Sequence, residues 1–218
     1  MALHGRCISP QRRDPWYPNI GGGWYPGNNS SSEPDVPWKY DTNGEIEAVT
    51  TGQTMTQNFG NVKMVFEEVI LKTESTLLPE VTVYRTIDVR DLNTNNTLPL
   101  EDKYLSNCFG YALAGGDYYF LDNPNTSTDE FTELDRVLNE FFEETDANDP
   151  EAELAVVFTD DDVPYHAGRY DDGEYSAKGT YSEHNNYSSE DNFRRGEAPD
   201  GQPGYYEEGE VRYFKGKN

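Results

Sequence analysis

The chain has 218 residues, with 41 Asp and Glu against 17 Lys and Arg and a formal net charge of −24. Its 34% hydrophobic content is lean for a globular chain, yet 16 Tyr are more than a purely solvating acidic tail would hold. That charge disfavours passive nucleic-acid binding, no run nears the ~18 apolar residues of a membrane span, and no apolar stretch follows the basic residues near the start. The expectation is an acidic protein with no nucleic-acid or membrane partner, cytoplasmic as synthesised or exported by a route that needs no signal peptide. Two cysteines, Cys7 and Cys108, make no disulfide framework.

Residues 1–40 carry 6 of the 13 Pro, the triplet Gly21-Gly22-Gly23 and a net charge of +1. Such a composition does not repay its ordering entropy alone, and a mobile arm is predicted there. From residue 41 a single α+β domain is expected. Its first part, 41–99, is strand-rich. Val62–Leu71 is β-prone behind Gly60-Asn61, and Val81–Val89 alternates apolar and polar residues like a half-buried strand.

Two helices follow. Asn107 is a good N-cap for Cys108–Ala114, which stops at Gly115-Gly116. Thr128 would cap a second helix, in which Phe131, Leu134, Val137, Leu138, Phe141 and Phe142 recur at helical spacing. Strands are then expected at Leu154–Thr159, Tyr165–Tyr170, Glu174–Thr180 and Glu210–Lys215. Asp171-Asp172-Gly173 is a tight-hairpin signal, and residues 182–209 read as a long loop. The order of elements is that of helices beside an antiparallel sheet.

Cys108 is the first candidate for chemistry. At the start of a short helix, behind an Asn cap, the dipole and the spare N–H groups favour a thiolate. The plain alternative is a buried cysteine serving as a small hydrophobe. His166 opens a strand 58 residues later, where it would suit a general base. Cys108, His166 and His184 match no close-paired zinc spacing, so no metal or other cofactor is expected. Asp146–Glu151 begins like a calcium loop, but Pro150 and Glu151 occupy positions that need a ligand and a turn glycine.

Asn107-Cys108-Phe109-Gly110-Tyr111-Ala112-Leu113, Leu154-Ala155-Val156-Val157-Phe158 and Tyr165-His166-Ala167-Gly168-Arg169-Tyr170-Asp171-Asp172-Gly173 together resemble the NlpC-type papain-like peptidase superfamily. The likeness spans about residues 100–180. It implies a papain-like core, a helix carrying the Cys packed on an antiparallel sheet. Cys108 would be the nucleophile and His166 the base, with backbone N–H groups near Asn107 and Phe109 holding the oxyanion. The superfamily's third polar residue lies on the strand after the hairpin, where this chain has Glu174-Tyr175-Ser176-Ala177-Lys178. His184 is then the first candidate for that role, with Ser176 and Glu174 as alternatives.

The resemblance implies a cysteine-dependent amide-bond hydrolase. Its substrate would be a peptide or peptidoglycan cross-link, reached as a delivered effector, with deamidation or acyl transfer as near variants. The alternative is a non-catalytic acidic interaction protein (an inhibitor, immunity-type partner or virion component) on an inactive papain-like scaffold. Residues 117–162 hold 16 acids and one base. A run like this is ordinarily a solvated face or an adaptation to high salt, and as a functional surface it would dock a basic protein.

Overall fold

Two stretches of strand-forming sequence build two separate antiparallel sheets, with two helices between them and a third on the outer face of the larger sheet. The structure, a computed structural model, describes residues 36–121, 132–178, 184–195 and 209–217. The first sheet contains β1 (Ala48–Phe59), β2 (Val62–Lys72) and β3 (Glu80–Asp91) in chain order. After a 3₁₀ turn at Asp102–Tyr104 come α1 (Cys108–Leu113) and α2 (Thr132–Phe141). Then follow β4 (Phe142–Thr145), β5 (Leu154–Phe158), β6 (Pro164–Asp171), β7 (Glu174–Lys178), β8 (His184–Tyr187), α3 (Glu190–Arg195) and β9 (Glu210–Gly216). The second sheet has six strands in the order β4-β9-β5-β6-β7-β8. Helices with an antiparallel sheet agree with the α+β expectation.

The main core lies between the sheets. Val69, Leu71, Val81 and Val83 of the small sheet meet Phe109, Ala112 and Leu113 of α1 and Leu134, Val137, Leu138 and Phe141 of α2. Leu154, Val156, Phe158, Ala167 and Phe214 close this layer from the large sheet. The other face of the large sheet carries a second, aromatic cluster of Tyr165, Tyr170, Tyr175, Tyr187, Tyr213 and Phe193. A third, around Phe59, Met64, Phe66 and Tyr119, fills the far end of the small sheet.

Local chemistry explains the helix and hairpin that matter for the site. The Asn107 side chain accepts from the Gly110 N–H at 2.9 Å, the expected N-cap of α1. Asp172 and Gly173 both have positive φ, 43° and 89°, as the two-residue β6–β7 turn requires.

Several expectations change. The end of the Pro-rich arm is part of the body: Val36 and Trp38 are buried, and the Trp38 Nε1–H donates to the Leu113 carbonyl at 2.8 Å. Burying such side chains contributes about 1.5–3 kcal/mol each, enough to offset the ordering of a few residues at about 1–2 kcal/mol apiece. Residues 1–35 lie outside the described set, as do Thr128 and Phe131. Phe142 leaves the helix and opens β4, where Phe142 pairs with Gly216. The predicted 182–209 loop contains β8 and α3, because Tyr187 and Phe193 bury 4% and 0% exposed side chains in the aromatic cluster. The β7 strand is described to Lys178 rather than Thr180, since residues 179–183 are outside the described set.

Candidate functional site

The start of α1 is sealed. Gly110 runs so close to the next segment that a Cβ there would fall 1.6 Å from the Tyr118 carbonyl oxygen. Asn107 clamps that segment, its Nδ2 donating to the Phe120 carbonyl at 2.6 Å and its Oδ1 accepting from the Phe120 N–H at 3.3 Å. Asn107 is 1% exposed, and Cys108 and Phe109 are fully buried. Cys108 is also disulfide-bonded, contrary to the expectation from the cysteine count. The chain's other cysteine, Cys7, is outside the described residues.

His166 lies on the other side of the sheet. Directly paired residues in an antiparallel ladder share a face, and His166 pairs with Val157, a member of the aromatic cluster. Its ring packs tilted against Phe193 of α3 with centroids 4.9 Å apart. The next residue, Ala167, pairs with Val156 and faces α1. Arg169 also faces α1, its guanidinium donating to the Tyr111 carbonyl at 3.1 Å and covering the Tyr111 ring. Burial pushes the His166 imidazole down to about 4, so it is neutral at pH 7. The structure therefore does not bring Cys108 and His166 together.

The cause is strand alternation. His166 runs in unbroken register with Ala167, Gly168 and Arg169, and because Ala167 and Arg169 face α1, His166 faces away. Phe158 pairs with Pro164, whereas Val157 pairs with His166, which leaves Tyr165 as a bulge just before it. The remaining candidates follow the same geometry. Ser176 opposes Arg169 on the α1 face and its hydroxyl lies 2.9 Å from the Tyr111 hydroxyl. Glu174 is exposed at the hairpin opposite Asp171, and the His184 backbone pairs with Lys178. Buried Lys178, which the sequence reading passed over, donates to Ser106 Oγ at 2.9 Å and to the Asp102 carbonyl at 2.7 Å. Among the described residues no group of three or more His, Cys, Asp or Glu is arranged to hold a metal ion.

A different feature emerges at the end of the molecule near β4. A groove of about 730 Å³ runs between the two sheets, lined by Glu74, Glu140, Glu151, Glu153, Lys215 and Lys217 among others. Ser75, from the connection between β2 and β3, donates to Glu140 at the end of α2 at 2.5 Å and ties one wall to the other. Lys215 bridges Asp149 at 3.0 Å and both Glu143 and Glu151 at 3.5 Å. The Thr145 hydroxyl, the Glu151 N–H and Lys215 hold the Asp149 carboxyl down at about 2. Residues 140–162 contribute ten acids and no base. The acidic run was visible in the sequence, but the contribution of Glu74 and the two lysines was not, since they lie 64 or more residues away from Glu140 and Glu151 in the chain.

No helix among the described residues is long and apolar enough to cross a membrane. No family model matches the chain, and no curated protein or solved structure matches it.

Proposed function

We propose that this chain is a non-catalytic interaction protein whose acidic groove docks a basic segment of a partner protein. The observation that carries the reading is the separation of Cys108 from His166. The sulfur is committed to a disulfide in an enclosed site, and the imidazole is held neutral under Phe193 on the opposite face. A thiol nucleophile needs a base within hydrogen-bond reach and room for a carbonyl beside it. The scaffold is read as an inactive relative of a papain-like core, because α1 with its cysteine at the start packs against β6 and β7.

The groove supplies the positive side of the reading. Its carboxylates outnumber its ammonium groups, and the surrounding 140–162 segment extends the negative field beyond it. Such a surface gathers cationic partners by long-range attraction and loses them as salt rises.

The test uses a fluorescent oligolysine probe at low ionic strength with the wild type and Glu74→Gln/Glu151→Gln. Binding that weakens several-fold in the variant and falls with salt supports the reading. Absent binding, or binding indifferent to the variant, overturns it. So does hydrolysis of peptide or peptidoglycan amides that Cys108→Ser abolishes. Iodoacetamide added without reductant should leave Cys108 unmodified until the disulfide is reduced.

A further inference from the structure

Every sheet has edges that expose unpaired backbone groups, and folded proteins shield them by covering them, shortening them or charging them. Three of the four edges among the described residues are managed in those ways. Along β3, Tyr84 exchanges hydrogen bonds with Tyr119, Val89 accepts from the Leu98 N–H, and the Thr82 N–H donates to the Glu133 carboxylate. Edge strand β4 has four residues, two of them Glu, and edge strand β8 also has four. The fourth edge, β1, is twelve residues long, and nine of them are exposed.

The composition of β1 is unlike that of the rest of the chain. Ala48–Phe59 has no charged residue and no proline, and four of its residues are threonine. In a chain of −24 this is a long edge offering backbone donors and acceptors without electrostatic defence. The one irregularity is a register shift between Thr50 and Thr54, at Gly52 with φ 81°. Beyond it, Thr54–Phe59 runs in unbroken register with β2. Met55 is half-buried here and packs on the cluster of Phe59, Met64 and Phe66, which a further strand would extend.

We propose that β1 is a self-recognition edge: two copies of this chain pair β1 against β1 antiparallel, about a two-fold axis near Thr56, and join their small sheets into one. A second copy is the occupant that the composition of β1 favours. It brings an uncharged strand to an uncharged strand, so no like charges meet along the contact itself, and the repulsion left between the two acidic bodies is the part that salt screens. The axis lies about 20 Å along the strand from Ala48, near which the chain turns toward the groove, so the two acidic ends point away from each other. Closed two-fold pairing is also the commonest way for a surface to recognise itself. On the outer face the pairing sets Thr56 across from its own copy and Thr54 across from Asn58 of the second copy, where paired threonines and a Thr–Asn pair stabilise a ladder. This inference is independent of the groove reading.

The sign of the salt effect identifies the pairing. Two chains of like charge associate more tightly as salt screens them. Sedimentation of the full chain from about 0.05 M to about 1 M NaCl should give a concentration-dependent dimer that tightens with salt. Thr56→Lys, which sets like charges beside the axis, should weaken it about tenfold or more, while Thr56→Val retains it. Hydrogen exchange of the β1 amides should quicken on dilution. The Thr56 side chain is exposed, so both substitutions leave the core alone. A chain still monomeric at about 1 mM in high salt overturns the proposal, as it would if a foreign strand takes this edge. A dimer that loosens with salt, or one indifferent to Thr56→Lys, overturns it as well.

Discussion

The two faces of the large sheet are made by the same strands, yet they hold different materials. Under α1 the surface is mainly aliphatic, with Arg169, Ser176 and Lys178 along one margin bonded to Tyr111 and Ser106. Under α3 it is aromatic: Tyr175 stacks on Phe193 at 4.8 Å, and the Tyr175 and Tyr213 hydroxyls lie 2.7 Å apart. His166 and Ala167 are neighbours in the chain and belong to opposite faces. Two residues with complementary chemistry form a pair only when strand parity sets them on one face, and regular alternation with Ala167 turns His166 away from α1.

The comparison is broken most severely from the α1 side. Gly110→Ala drives a methyl into the Tyr118 carbonyl, and neither helix nor clamped segment has room to retreat. We expect a loss of about 5 kcal/mol in denaturant unfolding, or no folded protein, while Gly173→Ala, which meets no atom within 4 Å and is strained only by its φ of 89°, should cost about 1–2 kcal/mol. On the α3 side, Phe193→Ala should cost about 4 kcal/mol and open the imidazole to water. The His166 pKa, followed by NMR, should then rise from about 4 toward its ordinary value.

Acid titration sharpens the contrast between the faces. The His166 imidazole has a lowered pKa in the fold, so its contribution is complete above the unfolded value near 6.5 and is lost as pH falls toward about 4. Over that window the wild type should lose about 3 kcal/mol relative to His166→Gln. The carboxylates make the absolute curve steep in its own right, so the difference between the two proteins is the quantity to measure. The smallest effect is expected from Tyr213→Phe. It removes the hydroxyl that donates to Glu190 at 2.6 Å and should cost about 1–2 kcal/mol while leaving Cys108 as enclosed as before.

Much of the framework was legible because its signals are local. An Asn side chain that caps a helix acts over three residues, and Asp172-Gly173 makes its turn within two. Alternation in Val81–Val89 declares a strand whatever it pairs with. The second helix was readable from Leu134, Val137, Leu138 and Phe141, but its end was not, since Phe142 is as apolar as its predecessors and only β9 draws it into a sheet. The segment after residue 182 read as a loop because its two anchors, Tyr187 and Phe193, stand alone among polar residues. What orders them is an aromatic cluster assembled from four other strands.

The candidate site divides along the same line. Composition determined the acidity, and residue type with cap position determined that Cys108 begins a helix. Tertiary structure alone decided that the sulfur is bonded and enclosed, that His166 turns toward Phe193, and that Glu74 joins Glu151 across a groove between sheets. Each of these depends on register or on contact between distant segments. A one-residue shift in pairing leaves the amino-acid pattern of a strand unchanged while exchanging every side chain between its two faces.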